Sequence, residues 1–104
     1  MNDYRITLTK RAKDDIIDIG DYISHTLLQP YISKNFIKGL RHSISQLRTF
    51  PQKFPLIQDS TLATHSIRCM PYKNYYIFYT ILEDNQTVII LRIGYNRRNW
   101  NEIL

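Results

Sequence analysis

Four arginines, Arg68, Arg92, Arg97 and Arg98, are the side chains of this sequence best suited to chemistry, and aromatic residues accompany them. A guanidinium donates two parallel hydrogen bonds to a phosphate or carboxylate and keeps its charge at physiological pH. It can bind an anion and stabilise charge on a phosphoryl transition state, but it is a poor general base. Tyr76, Phe78, Tyr95 and Trp100 add flat apolar faces that stack on bases or grip an apolar partner. The plainer alternative is that the arginines are solvated or close a salt bridge at a helix end. Trp100 likewise reads either as a contact residue or as a plug that tucks the C-terminal segment against the domain.

Other reactive groups are scarce. Cys69 is the only cysteine, so there is no intrachain disulfide and no basis for a structural zinc site. Between apolar neighbours in a strand, it reads as a buried, inert thiol. His25 and His42 fall on predicted helices with no acidic or hydroxyl partner at useful spacing, and they read as surface residues. His65 begins the strand that carries Arg68. It is the sole candidate imidazole near the basic residues, although alternation turns it to the opposite face. The sequence has no glycine-rich phosphate loop, no nucleophile elbow and no metal-ligand spacing, so neither a metal nor a cofactor is expected.

A length of 104 residues fits one domain, spanning 1–104. With 43% hydrophobic and 22% charged residues the chain should fold as an ordinary globular domain. A net charge of +5 suits a phosphate-rich or acidic partner, whether RNA, DNA or protein, and does not by itself choose among them. No apolar run approaches the ~18 residues of a membrane span and no signal segment is evident, which makes the cytoplasm the expected compartment.

These residues need a scaffold. Tyr4 to Leu8 alternate and predict a first strand, and Thr9 can cap the helix that follows. Ala12, Ile16, Ile19, Ile23 and Leu27 recur every three or four residues, the mark of a long amphipathic helix, with Asp14, Asp18 and Asp21 as an acidic stripe away from that face. Lys10 stands four residues before Asp14, a pairing distance. Leu28-Gln29-Pro30 is a break, and a second helix from about Pro30 to Thr49 buries Ile37, Leu40, Ile44 and Leu47, with Phe36 beside them. Gly20 and Gly39 lie on either side of the break and would face one another in an antiparallel hairpin. Gln52 to Thr64 read as a surface connection. Three strands follow, HSIRCM, YYIFYTILE and TVIILRIGY, and then the basic tail NRRNW-NEIL, whose last six residues suit a short helix.

The face on which each strand residue lies depends on the turn between the last two strands, since a slip of one residue exchanges the faces. A three-residue turn of Asp84, Asn85 and Gln86 groups Tyr75, Ile77, Tyr79 and Ile81 with Ile89, Leu91 and Ile93. The helices would then cover that set together with Ile67 and Cys69. The opposite face would show Arg68, Tyr76, Phe78, Thr80 and Arg92, with Val88 and Ile90 adding an apolar strip. Such a strip rimmed by arginines is a partner-binding surface more often than a defect.

The order strand, helical hairpin, three-stranded meander and basic tail resembles the toxins of the RelE/ParE superfamily from bacterial type II toxin–antitoxin operons. The matching stretches are YRITLTKRAKDDIIDIGDYI, ISQLRTFPQKFP, IRCMPYKNYYIFYTI and VIILRIGYNRRNWNEIL. The long first helix and the FP that ends the second resemble the ParE-like branch more than the ribonuclease branch. The resemblance implies an α+β fold: an N-terminal strand, then an antiparallel two-helix hairpin packed on one face of a mainly antiparallel four-stranded sheet, with a short basic C-terminal segment. It also implies a growth-inhibiting toxin neutralised by a cognate antitoxin, with operator DNA met only through that antitoxin and no membrane partner.

Two activities occur in the superfamily. ParE-like members poison DNA gyrase without a known nuclease site, and RelE-like members cut mRNA on the translating ribosome. The ribonuclease pattern is incomplete here. Tyr76 stands where many RelE-like nucleases have arginine, the paired lysines are missing, and Arg97 and Arg98 lack a His-Tyr pair. The expectation is therefore a gyrase inhibitor. The alternatives are an mRNA endoribonuclease using Arg68, Tyr76, Arg92, Arg97 and Arg98, or a decayed toxin kept only as an antitoxin partner or co-repressor. The same residues with Phe78, Tyr95 and Trp100 are the expected target- or antitoxin-binding set.

Overall fold

The computed structural model describes residues 3–57, 66–96 and 100. Strand β1 is Arg5–Leu8 and helix α1 is Lys10–Asp21, running on into a π-helical turn at Tyr22–Thr26. Helix α2 is Pro30–Ser45, with short 3₁₀ turns at Gln46–Arg48 and Pro51–Lys53. Strands β2, Arg68–Tyr72, β3, Tyr75–Leu82, and β4, Thr87–Tyr95, join β1 in a sheet of order β1-β4-β3-β2, with β1 parallel to β4 and the other pairs antiparallel. This is the expected α+β architecture.

Local chemistry sets the helix ends. The Thr9 hydroxyl accepts a hydrogen bond from the Ala12 amide at 3.1 Å, and Pro30 opens α2 where no amide is needed. The long first helix does not stay α-helical: Leu27 donates to the Tyr22 carbonyl five residues back, and Leu28 takes a positive φ of 55° to turn the chain. Lys10 and Asp14 pair at 3.6 Å on the exposed side of α1. Gly20 and Gly39 do not meet. Gly20 lies against Ser33, whose hydroxyl donates to the Gly20 carbonyl at 2.7 Å, while Gly39 leaves room for the Tyr72 hydroxyl to reach the Phe36 carbonyl at 3.0 Å.

The helices bury Ala12, Ile19, Ile23, Phe36, Leu40 and Ile44 against Met70, Ile77, Tyr79, Val88, Ile90 and Ile93 of the sheet. The β3–β4 connection holds four residues, since Leu82 pairs with Thr87, and a bulge between Phe78 and Tyr79 shifts the register again at Leu91. Val88 and Ile90 therefore belong to the helix-covered face, and Ile89 and Leu91 do not. Ile93 returns to the core because the bulge moves the alternation by one residue. Among the described residues no helix is long and apolar enough to cross a membrane.

Candidate functional site

The two-residue β2–β3 turn at Lys73 and Asn74 settles the faces of β2. Arg68 pairs with Tyr79, Met70 with Ile77 and Tyr72 with Tyr75, all on the helix side. Cys69 and Pro71 pair with Phe78 and Tyr76 on the outer side. Ile67 and Cys69 are thus outer residues rather than part of the helix-covered set, and Arg68 sits on the other surface from Tyr76 and Phe78.

Arg68 is committed to the backbone. Its Nη1 donates to the Phe54 carbonyl at 2.6 Å and to the Gln52 carbonyl at 3.3 Å, just past the end of α2. The Tyr79 hydroxyl donates to the Pro51 carbonyl at 2.6 Å in the same region. Together they hold the Pro51–Lys53 turn on the sheet. The expected outward Arg68 is replaced by a structural tether.

Arg92 is also withdrawn. Its Nε and Nη2 donate to the two Asp15 carboxylate oxygens at 2.9 and 3.0 Å, and the Ile93 amide donates to the same carboxylate at 2.9 Å. Hydrogen bonding to Asp15 raises the Arg92 pKa further and keeps it charged. The geometry follows from strand lengths. β1 pairs with only the first four residues of β4, so beyond Ile90 the edge of β4 is open to the start of α1. Thr9 caps that edge by donating its amide to Ile90 and its hydroxyl to Leu91, and Asp15 takes the next amide. Sequence reasoning missed Asp15, yet the signal was there. It lies three residues after Ala12 and four before Ile19, within the buried stripe, where a carboxylate needs a partner.

What remains outward is apolar. Ile67, Phe78 and Trp100 form a second buried cluster, flanked by Ile57, Cys69, Tyr76 and Leu91. Trp100 packs on Phe78 with ring centroids 4.7 Å apart and donates its indole N–H to the Tyr95 carbonyl at 3.1 Å. It is buried, the plug arrangement, and the Arg92 guanidinium lies 5.9 Å from its ring centroid. Gly94 makes this possible, because a side chain there would overlap the indole. Tyr95 pairs with Tyr75 and meets its ring edge-on at 5.5 Å, so it belongs to the helix side and not beside Tyr76.

Beside the plug, a groove of about 540 Å³ runs over Pro55, Ile57, Cys69, Pro71, Tyr76 and Phe78. Burial pushes the Cys69 thiol that lines it up to about 11, so it is protonated and unreactive at neutral pH. Among the described residues the lining has neither carboxylate nor imidazole. Such a surface can bind an apolar protein segment. Arg97, Arg98 and His65 lie outside the described residues, as does most of the expected terminal helix. Among the described residues no group of three His, Cys, Asp or Glu could hold a metal.

In sequence, residues 6–100 match the family model described as the ParE toxin of the type II toxin–antitoxin system, parDE. No curated protein matches the sequence. Solved structures share the fold at low identity. The chromosomal ParDE toxin–antitoxin system from P. aeruginosa superposes with a TM-score of 0.73 at 14% identity, over 88% of this chain and 95% of that one. The RelBE2 complex from Mycobacterium tuberculosis gives 0.65 at 17% identity, over 94% and 97%. The isolated E. coli RelE toxin gives 0.62 at 12%, over 96% and 94%.

Proposed function

For a chain that belongs to the ParE toxin family of type II toxin–antitoxin systems, we propose growth inhibition through a protein target, DNA gyrase, with a cognate antitoxin holding the toxin silent. One observation carries the choice of target class. The outer surface of the sheet, the side expected to receive a partner, is an apolar groove lined, among the described residues, by Pro55, Ile57, Pro71, Tyr76 and Phe78 without an acid or a base. Arg68 and Arg92, which a ribonuclease would need to grip a scissile phosphate, are spent on backbone carbonyls and on Asp15. An apolar groove with an aromatic floor fits a protein surface, since aromatic side chains are enriched at interface centres.

On this reading Tyr76 is the aromatic contact, Phe78 and Trp100 back it from beneath, and Arg97 and Arg98 supply charge. The cytoplasm follows as the compartment of such a target. The test sets purified chain against gyrase in a supercoiling assay, beside primer extension on translated mRNA. Inhibition of supercoiling without new mRNA ends is expected. Cleavage of translated mRNA with gyrase unaffected would replace this reading by the ribonuclease one.

A further inference from the structure

The turn that follows α2 is pinned from several directions. Its Pro51 carbonyl accepts from Tyr79, and the Gln52 and Phe54 carbonyls accept from Arg68. The Gln52 side chain donates to the Tyr4 hydroxyl and to the Glu83 carboxylate, both at 2.9 Å, and Pro51 itself is buried. Yet Phe50, at the head of this turn, is 59% exposed, and Leu56, just beyond it, is 41% exposed. A firmly held backbone thus presents apolar side chains to solvent, an arrangement that suits a contact surface better than a loose loop.

Phe50 lines a groove of about 520 Å³ with Leu47, Phe54 and Lys53. Phe54 lines the outer groove as well, so the two grooves meet at its ring. The cause is the path of the chain around the edge of the sheet. Leu56 bridges to Arg68 and the Ile57 amide donates to Ile67 at 2.9 Å, which lays this segment beside β2. Phe54 packs on the main core and Ile57 on the outer cluster, so the segment crosses from one surface to the other. An apolar path leads from Tyr76 and Pro71 over Phe54 to Phe50. Among the described residues lining the two grooves, Lys53 carries the only charge. It is exposed, lies 5.5 Å from the Phe54 ring centroid, and has no carboxylate partner among the described residues.

We infer that the target-binding surface continues past the outer groove, over Phe54, to Phe50, and that Phe50 is a preformed anchor for the same protein target. The occupant is an apolar segment of that target carrying a carboxylate that meets Lys53. Continuity through Phe54 assigns both grooves to one partner, and the lone cation at the far end sets the sign of the charge it must bring. Because the turn is already ordered, little conformational entropy is lost when the ring is covered. A second copy of this chain suits the path poorly, since its net charge of +5 opposes Lys53.

The inference rests on the reading of the chain as a toxin with a protein target, and adds to it a second anchor and an acidic requirement. The test measures binding of purified gyrase by the unmodified chain and by Phe50→Ser, Phe50→Tyr, Lys53→Glu and Tyr76→Ala, with a thermal melt of each. Phe50→Ser should weaken binding by roughly tenfold or more, and Phe50→Tyr, which keeps an aromatic ring, should bind nearly as the unmodified chain does. Lys53→Glu should bind several-fold more weakly at low salt, with the deficit shrinking as salt is added. Both positions are exposed, so the melts should not move. Impaired Tyr76→Ala beside unimpaired Phe50→Ser and Lys53→Glu would overturn this inference and leave the target reading standing. An unmodified chain that ignores gyrase would remove both. Variants that bind gyrase normally but escape neutralisation by the antitoxin would assign the path to the antitoxin and overturn the proposal.

Discussion

Asp15 on α1 and Arg92 on β4, 77 residues apart, join through two hydrogen bonds of 2.9 and 3.0 Å where β1 ends and β4 runs on. With side chains only 11% and 16% exposed, the pair is largely out of water. Asp15 also satisfies the Ile93 amide, so one carboxylate seals both a charge and a strand edge. Asp15→Ala should destabilise the fold by about 3–5 kcal/mol, because it strands a buried guanidinium. Asp15→Leu with Arg92→Met should recover only the part due to the stranded charge, since the Ile93 amide still loses its acceptor, at about 1–3 kcal/mol. Urea denaturation of the single and double variants measures both.

Gly94 and Trp100 offer a spectroscopic prediction. Trp100 is the only tryptophan, so its fluorescence reports one site. A Cβ at Gly94 would overlap the indole ring, and Gly94→Ala should expel Trp100, shift its emission to the red and cost about 1–3 kcal/mol. Gly20→Ala is the control. Its Cβ would meet Ser33 and Ile37 at 3.6–3.7 Å, ordinary contact, so this variant should gain up to about 1 kcal/mol of helix stability with emission unchanged.

Alkaline pH should destabilise the protein through the buried Tyr79 and the half-buried Cys69. Burial pushes Tyr79 from 10.0 to about 12 and Cys69 from 9.0 to about 11. In each case the folded state holds a proton that the unfolded chain releases, so stability is full below pH 9 and declines as pH rises toward 12. Tyr79→Phe should flatten the upper part of that decline. It should also lower stability at neutral pH by about 1–3 kcal/mol, since the Pro51 carbonyl loses its donor. Thermal melts from pH 7 to 11.5 separate the two effects.

The helices were legible because their apolar residues recur at helical spacing, and Thr9 and Pro30 mark their starts by chemistry that a sequence displays. The sheet's existence was equally plain. Its faces were not. The β3–β4 turn holds four residues where the sequence suggested three, which exchanged the faces of Val88 and Ile90 with those of Ile89 and Leu91, and the bulge at Leu91, with no glycine or proline to announce it, then returned Ile93 to the expected face. Arg68 went to the wrong surface because the β2–β3 register rests on a turn at Lys73, whose positive φ of 53° is unusual for lysine. Arg92 looked free because its partner, Asp15, is distant in sequence and sits in an acidic stretch that otherwise faces water.

Tyr76 distinguishes the two possible kinds of toxin most directly. Its ring meets Phe78 edge-on at 5.8 Å and forms the wall of the outer groove opposite Pro71. If the groove binds a protein target, Tyr76→Ala should remove an aromatic anchor and weaken target binding by about 2 kcal/mol or more, with little change in the melt. Tyr76→Arg restores the residue type of the ribonuclease pattern, yet it should generate no cleavage of translated mRNA. Among the described residues the groove offers no proton acceptor, and Arg68 and Arg92 remain bound elsewhere. Growth arrest, gyrase supercoiling and primer extension on both variants decide the matter. New mRNA ends from Tyr76→Arg would mean that the missing arginine alone had kept a nuclease silent, and the protein-target reading would fall.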